Sequence, residues 1–210
     1  MSVGDTKISS SVQDAVNARV YHAAGIERAY RSRVLSVVET VALLKYQAAF
    51  AQRDVLDIGV GTGRTSVYLA PLARGYEAID YSPTMVRHLR LAMPSLSVRL
   101  ADMRSMPDFP DGSFDFILAP NNVFDAVGHE DRLVVLREMH RLVRPGGVLM
   151  FSSHNLDYRH ALEGPRLLVS RNPVTQARNF VRWLRQLANH ARVGRLRRHL
   201  PGYALLNDPG

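Results

Sequence analysis

The sequence predicts an α/β fold: a doubly wound, Rossmann-like parallel sheet with helices on both faces. Three observations predict it. Apolar, β-rich runs alternate with helical patterns, a glycine-rich stretch (VLDIGVGTGRT, residues 55–65) ends the first run, and acidic residues lie at the ends of the first three runs. Strands that alternate with helices imply right-handed crossovers, which bring parallel strands into one sheet.

The individual elements follow from periodicity and capping signals. Strands are predicted at about residues 54–58, 76–80, 97–100, 114–119 and 147–152. The clearest helices are SPTMVRHLRLAM and EDRLVVLREMHRLV. In the first, Ser82 is a natural N-cap and Pro83 a natural first helical residue. In the second, Leu133, Leu136, Val143 and the neighbouring apolar side chains are predicted to form one buried stripe, and RPGG ends the helix before the next strand.

The chain divides into three predicted segments: an N-terminal helical segment (1–50), a ligand-binding core (51–155) and a basic helical insertion with an incomplete C-terminal end (156–210). In the first segment, apolar residues at helical spacing predict a long amphipathic helix, namely Val34, Val37, Val38, Val41 and Leu44. In the last, the apolar residues between 176 and 193 also recur at helical spacing, with arginines mostly on other faces.

Composition limits the classes of protein to consider. A chain of 210 residues is long enough for one domain with a sizeable core. It contains no cysteine, which excludes disulfides and thiolate metal sites, and we expect no metal. The start, MSVGDTKISS, lacks the pattern of a secretory signal, and no apolar run approaches the roughly 20 residues that span a bilayer. We therefore expect a cytoplasmic protein without a transmembrane segment.

The net charge of +8 comes from one late segment. Between Arg159 and Leu200 there are ten arginines and one acid, Glu163, whereas the rest of the chain has 17 basic and 18 acidic residues. A basic amphipathic helix can bind anionic lipid or nucleic acid phosphates, or cap a site for an acidic substrate. Few aromatics accompany the arginines, mainly Phe180 and Trp183, so a base-stacking platform is poorly supported.

The glycine-rich stretch follows the first strand and opens a helix, where doubly wound sheets bind their ligands. The dinucleotide fingerprint Gly-x-Gly-x-x-Gly does not fit, because its last position falls on Arg64 or Ser66. A Walker loop is excluded, since Gly-Lys-Ser and Gly-Lys-Thr are absent. The pattern present is acid-x-Gly-x-Gly-x-Gly, formed by Asp57, Gly59, Gly61 and Gly63.

Two further acids follow the next strands. Asp80 comes about 20 residues after the glycines, where a carboxylate can accept both hydroxyls of a ribose. Asp102 follows the third strand and can accept a hydrogen bond from an exocyclic amine of a base. Met103 beside it offers a backbone amide and an apolar side chain to the same base.

The motifs VLDIGVGTGRT, AIDYS, LADM, FDFILAPNNVFD and LVRPGGVLMFSSHN together resemble those of the class I S-adenosylmethionine-dependent methyltransferases, over about residues 50 to 155. The resemblance implies that the glycine loop passes under the methionine and ribose of S-adenosylmethionine. It also implies that Asp57 lies near the amino end of this cofactor, Asp80 near its ribose, and Asp102 and Met103 near its adenine. The cofactor-binding residues expected on this basis are Asp57, Gly59, Val60, Gly61, Gly63, Asp80, Tyr81, Asp102, Met103 and Asn121.

Methyl transfer from a sulfonium requires alignment, exclusion of water and, for some acceptors, removal of a proton. In the family, residues after the fourth strand line the acceptor space, which here gives Asn121, Asn122 and Asp125. His129 and His154 are the titratable candidates for a base, with a structural role as the alternative for each. The family also implies a flap near the N-terminus, for which the candidates are Tyr21, His22, Arg28 and Tyr30.

The leading hypothesis is a methyltransferase that acts on an oxygen or nitrogen of a small molecule. One alternative is an RNA or tRNA methyltransferase that uses the arginine-rich helix. We do not favour it, because APNN is not the Pro-Pro-aromatic signature of amino-methylating nucleic acid enzymes. The other alternative is a non-catalytic S-adenosylmethionine-binding protein. The terminal antiparallel strands of the family have no counterpart in the sequence. We therefore expect that the fifth strand, GVLMFSS, is covered by the YALL run or mediates self-association.

Overall fold

The structure, a computed structural model, describes residues 21, 22, 25, 27, 34–153 and 164–199. The chain forms two compact units, Met1–Ser153 and His154–Gly210. The three predicted segments, 1–50, 51–155 and 156–210, stay a prediction. No helix among the described residues is long and apolar enough to cross a membrane.

The first unit contains a five-stranded sheet with the order β3-β2-β1-β4-β5, in which all neighbouring strands are parallel. Its strands are β1 (Asp54–Ile58), β2 (Gly75–Asp80), β3 (Ser97–Leu100), β4 (Phe114–Ala119) and β5 (Val143–Phe151). The order reverses at β1, so the carboxyl ends of β1 and β4 meet at the switch point where such sheets bind ligands. The predicted α/β fold is confirmed.

Helices connect the strands. They are α1 (Val37–Lys45), α2 (Gln47–Phe50), α3 (Ser66–Leu69), α4 (Pro83–Ala92) and α5 (His129–Leu142), with a short 3₁₀-helix at Val123–Ala126, and the second unit contains α6 (Pro173–His199). The predicted start of α4 is confirmed, because Ser82 Oγ accepts a hydrogen bond from Met85 N–H at 3.3 Å and Pro83 is the first helical residue. Ser36 and Glu39 form a capping box that begins α1.

Both faces of the sheet are covered. Leu56 and Ile58 of β1 point to one face, where they pack in a core that includes Val135 and Met139 of α5. Val55, the residue before Leu56, points to the other face of the sheet, which is covered by α1, α2 and α3. Because side chains alternate along a strand, Asp57 lies on this second face, inside the protein.

The predicted buried stripe of α5 is partly wrong. The fully buried residues are Val135, Met139 and Leu142, whereas Leu133 is 42% exposed. Leu136 and Val143 pack at the border of the core. Four consecutive apolar residues, LVVL, fit two neighbouring helical faces equally well, and the contacts with the sheet select the face that carries Val135.

The predicted long helix before the sheet is shorter than expected and rotated. α1 has nine residues, and Leu43 is its buried side chain. The residues predicted to form its apolar stripe are 59–80% exposed: Val34, Val37, Val38, Val41 and Leu44. Glu39 of the same helix pairs with Arg64 of the glycine-rich stretch, and this ion pair favours the observed orientation of α1. The periodicity of the apolar residues does not reveal it.

β5 begins earlier than predicted. RPGG ends α5, but it lies inside the strand as a bulge, since Phe114 pairs with Val143 and Phe116 pairs with Val148. Gly147 is required there because a Cβ would lie 2.8 Å from Asp115 O. Among the described residues β5 is an edge strand, and the YALL run lies outside them. Self-association through β5 stays a prediction.

Candidate functional site

The glycine loop lies between β1 and α3 and its backbone is held in the left-handed region. Gly59, Gly61 and Gly63 have φ angles of 69°, 55° and 83°. These conformations strain any residue with a Cβ. At Gly59 a Cβ would also lie 2.5 Å from both γ-carbons of Val123, at the start of the 3₁₀-helix that follows β4. Gly59 therefore brings the loop into direct contact with the segment after β4.

Asp57 is fully buried beneath this loop. Its Oδ2 accepts hydrogen bonds from the Thr65 hydroxyl at 2.6 Å and the Tyr76 hydroxyl at 2.7 Å. Within the described part of the chain, Oδ1 has no hydrogen-bond partner. One carboxylate oxygen thus joins β1, β2 and the residue that precedes α3, and the other is left unpaired.

Burial dominates the electrostatics of this carboxyl group. It raises the pKa of Asp57 to about 6, against the opposing effect of the two hydroxyl donors. Burial, together with the charge of Asp57, raises the pKa of Tyr76 well above its usual range. A cation bound close to the loop would favour the ionised form of Asp57, because opposite charges lower the pKa of an acid.

Asp80 connects the end of β2 to the glycine loop. Its Oδ2 accepts a hydrogen bond from Gly61 N–H at 2.7 Å, and its Oδ1 accepts one from Ser82 N–H at 2.8 Å. Burial raises the pKa of Asp80. Each carboxylate oxygen can accept a second hydrogen bond, so two adjacent hydroxyl groups of a ligand can be bound here.

Two N-terminal residues dock beside Asp80. The Ser82 hydroxyl donates to Tyr21 O at 2.5 Å, and the Thr84 hydroxyl donates to His22 O at 3.2 Å. The His22 ring lies on the Tyr81 ring, with centroids 4.6 Å apart. The other two flap candidates, Arg28 and Tyr30, lie outside the described residues.

The third acid is in a different environment. Asp102 accepts hydrogen bonds from the Arg104 guanidinium at 2.6–3.0 Å, and Arg104 also pairs with Asp131 at 2.8 Å. Met103 is 8% exposed and packs in the core. A ligand amine would have to share Asp102 with Arg104, so contact of Asp102 and Met103 with adenine stays a prediction.

The segment after β4 carries the acceptor-side candidates. Asn121 and Asn122 both have positive φ, 52° and 58°, which turns the chain sharply at the end of β4. Asn122 N–H donates to Ser152 Oγ at 2.7 Å. Asp125 accepts from the Ser153 hydroxyl at 2.8 Å. The two serines that follow β5 therefore hold this turn, and only their position after a strand could have indicated it.

Two further features complete the acceptor side. The Arg132 guanidinium pairs with Asp125 at 3.4 Å. His129 begins α5, but its side chain lies outside the described part, as does the whole of His154. Among the described residues no cluster of three or more potential metal ligands occurs.

One ion pair at the site was missed by the sequence analysis. Arg64, directly after the last loop glycine, donates two hydrogen bonds to Glu39 of α1, at 2.5 and 2.6 Å. This pair lowers the pKa of Glu39 to about 2 and raises that of Arg64. The signal available in the sequence was the Ser-x-x-Glu capping box at Ser36, which identifies Glu39 but not its partner.

Comparison with known proteins is consistent with this geometry. Residues 55–147 match the model of a methyltransferase domain family. A probable S-adenosylmethionine-dependent methyltransferase of Mycobacterium tuberculosis is 36% identical over 104 residues, which cover 49% of this chain and 36% of the relative. The malonyl-[acyl-carrier protein] O-methyltransferase of Halorhodospira halophila is 31% identical over 156 residues, 72% of this chain and 49% of the relative.

A solved structure is also similar. The S-adenosylmethionine-bound amino pentose methyltransferase CalS10 of Micromonospora echinaspora aligns with a TM-score of 0.53 at 25% identity, over 63% of this chain and 57% of that chain. The chain spans 36–49% of the length of four curated relatives that it matches.

A substitution at Gly59 tests the contact between the loop and the segment after β4. Gly59→Ala should weaken binding of S-adenosylhomocysteine at least tenfold by calorimetry, because the new Cβ must displace Val123 or the loop. Gly112→Ala is the matched control: Gly112 also has a positive φ, 59°, but its Cβ would have only ordinary contacts, at 3.9 Å or more. Equal affinity in the two variants would contradict the proposed contact. Adding Val123→Ala should restore part of the binding to Gly59→Ala, because it removes the two γ-carbons at 2.5 Å but leaves the Val123 Cβ at 3.1 Å and the positive φ of residue 59.

The Glu39–Arg64 pair predicts a pH-dependent contribution to stability. The folded pKa of Glu39, about 2, lies below its ordinary 4.5, so the stabilisation is complete above pH 4.5 and is lost as the pH falls toward 2. Glu39→Gln should lower the free energy of unfolding at pH 7 by about 1–3 kcal/mol and by less at pH 3, in urea titrations. Arg74→Gln is the control, because it breaks a pair whose arginine is 58% exposed and should cost less. If the free energies of unfolding of wild type and Glu39→Gln differed by the same amount from pH 7 to pH 3, the ion pair would not explain the difference.

Proposed function

We propose that the protein is a class I S-adenosylmethionine-dependent methyltransferase that transfers the methyl group of this cofactor to an oxygen or nitrogen of a small molecule; the match of residues 55–147 to a methyltransferase domain family supports the proposal. The observation that carries the proposal is the pair of acids joined by the glycine loop, one with an unpaired buried oxygen and one that can accept a diol. The ammonium group and the ribose are the two parts of the cofactor that such acids suit.

The chemistry of S-adenosylmethionine fits the unpaired charge beneath the loop. Its ammonium and sulfonium groups are cationic, and it has no phosphate that would need a dinucleotide-type nest. Oδ1 of Asp57 is enclosed, so we infer that Asp57 acts on the ligand through its charge rather than by direct contact. At about 5 Å and an effective dielectric constant near 20, such an attraction amounts to about 3 kcal/mol.

The remaining residues position the reactants. Asp80 holds the ribose hydroxyls while its own oxygens stay bonded to Gly61 and Ser82. Tyr21 and His22, docked on Ser82 and Thr84, exclude water from this end of the site. When bound, S-adenosylmethionine supplies a methyl carbon bonded to a good leaving group, so alignment of the acceptor supplies much of the rate.

The proton of the acceptor is the remaining requirement. Asp125 accepts a hydrogen bond from Ser153 and pairs with Arg132, and we assign it to acceptor orientation together with Asn122. His129 and His154 stay the proposed bases, because imidazole titrates near neutral pH. Replacement of the functional base by Asn should lower turnover about a hundredfold without weakening cofactor binding.

The assignment to a small-molecule acceptor is supported by the names of relatives. A relative from Synechocystis, 35% identical over 105 residues, is named 2-methyl-6-phytyl-1,4-hydroquinone methyltransferase, and the O-methyltransferase above is named for a malonyl group on a carrier protein. These names describe the substrates of the relatives and do not identify the acceptor of this chain. The acceptor of this chain is best identified by the compound that gains a methyl group when the protein and cofactor are incubated with an extract of its source.

The buried acid predicts how cofactor affinity depends on pH. The pKa of Asp57 is about 6 in the fold against an ordinary 3.8, so folding is favoured by protonation and stability falls as the pH rises from about 4 to 6. Cofactor binding should show the opposite trend and strengthen as the pH rises through 6, because the cation needs the ionised acid. Calorimetry at pH 5 to 8 should show this trend in the wild type.

Asp57→Asn is the test of that explanation. The variant should bind S-adenosylhomocysteine at least tenfold more weakly at pH 7, with no change between pH 5 and 8, while its unfolding becomes less dependent on pH from 4 to 6. Retained pH dependence of binding in Asp57→Asn would assign the effect to another group.

Cofactor selectivity tests the proposed role of Asp80. Asp80→Ala removes two charge-assisted hydrogen bonds to the ribose, each contributing about 1.5–3 kcal/mol, so affinity for S-adenosylmethionine should fall at least tenfold. The wild type should bind NAD much more weakly than S-adenosylmethionine, because the third dinucleotide glycine is absent. Tighter binding of NAD would overturn the proposed function, and an unchanged affinity in Asp80→Ala would show that the ribose lies elsewhere.

A further inference from the structure

The second unit presents an apolar helix face to solvent. Phe180, Val181, Leu184 and Leu187 of α6 are 41–47% exposed. At about 100° per residue these four side chains fall within one-third to one-half of the helix circumference. We call this set the α6 apolar face. Its side chains are as large as those of a protein core, yet nearly half of their surface is exposed.

Arginines border the α6 apolar face on one side. Arg178 and Arg185 are exposed, and the helical period places both next to Val181, on the side away from Leu187. Residues 164–199 contain nine arginines and no aspartate or glutamate. The positive charge around the face is therefore not neutralised by acids of the same segment.

The chain before α6 borders the face on its other side. Trp183 Nε1–H donates to Pro165 O at 2.9 Å, and Asn179 Nδ2–H donates to Leu168 O at 3.1 Å. These bonds hold residues 165–168 along the helix. Leu168 and Val169, 61% and 87% exposed, extend the apolar surface beyond the helix itself.

We propose that the α6 apolar face binds the surface of an anionic lipid bilayer, with α6 lying parallel to the membrane. An interfacial helix of this kind combines large apolar side chains on one face with arginines beside it, and has a low mean hydropathy. The apolar residues would enter the boundary between headgroups and acyl chains, and the arginines would contact lipid phosphates. The proposal is independent of the methyl acceptor.

Charge decides between lipid and two other occupants. A second copy of the same face would bring two sets of arginines together without acids to neutralise them. A nucleic acid would contact the arginines, but the large apolar side chains would lie beside its phosphates and would bury little apolar surface. An anionic bilayer is the partner that matches both the apolar and the basic parts of the surface.

The single tryptophan makes the test direct. Trp183 lies on α6 beside Phe180, with ring centroids 5.8 Å apart, and the chain has no other tryptophan. The full chain should co-sediment with vesicles of phosphatidylcholine containing 30% phosphatidylglycerol, and not with phosphatidylcholine alone. Trp183 fluorescence should shift to the blue on binding and be quenched by brominated lipid.

Variants separate the apolar and electrostatic contributions. Phe180→Ser with Leu184→Ser should weaken vesicle binding at least tenfold, because two large apolar groups no longer enter the membrane. Arg178→Gln with Arg185→Gln should weaken it about tenfold or more, and less at high salt. Arg87→Gln with Arg137→Gln is the matched control: it removes the same charge from exposed positions of the first unit and should change binding less than twofold.

Three results would overturn the proposal. The first is no binding to the anionic vesicles. The second is equal loss of binding in the control and in the Arg178/Arg185 variant, which would indicate attraction by net charge alone. The third is binding of an RNA oligomer, or self-association in light scattering, that competes with vesicles and depends on Phe180 and Leu184. Circular dichroism of each variant checks that α6 remains folded.

Discussion

The buried carboxylate of Asp57 is the constraint on which the site depends. It lies on a central strand with no access to water, and its two hydroxyl partners come from the residue before α3 and from β2. Burial of an acid with one unpaired oxygen opposes folding. The surrounding core compensates for the unfavourable free energy of burying this carboxylate. As a result, the site has a negative charge in position before a ligand binds.

Much of the fold could be predicted because its signals are local. The bounds of β1, β3 and β4 were predicted to the residue, since short apolar runs between polar turns fix both ends of a strand. The start of α4 followed from Ser82 and Pro83, whose side chains act on the adjacent backbone. The glycine stretch was predicted to follow the first strand and open a helix, and it lies between β1 and α3, with all three glycines at positive φ.

The rest depends on contacts between residues far apart in the sequence. Periodicity could not choose between two faces of α5, nor reveal that α1 is oriented by Glu39 and Arg64, which are 25 residues apart. Ser152 and Ser153, which follow β5 and bond to Asn122 and Asp125, belong to no recognisable sequence motif. Asp102 is a local exception: it was predicted to be available to a ligand, but it pairs with Arg104 only two residues away, and no motif in the sequence indicates that ion pair.

The strand order has a consequence for how the site is assembled during folding. β1 pairs with β2 across a short separation, and Gly59 N–H bonds to Ile79 O within that pair. Val123, which packs against the other side of the loop, follows β4, and β4 pairs with β1 through residues such as Phe116 opposite Val55, far away in the sequence. Long-range pairing of this kind is slow, because loop closure comes before its contacts. A sheet of β1 to β3 alone would contain the glycine loop but not Val123, which packs against it, so ligand binding reports completion of the sheet.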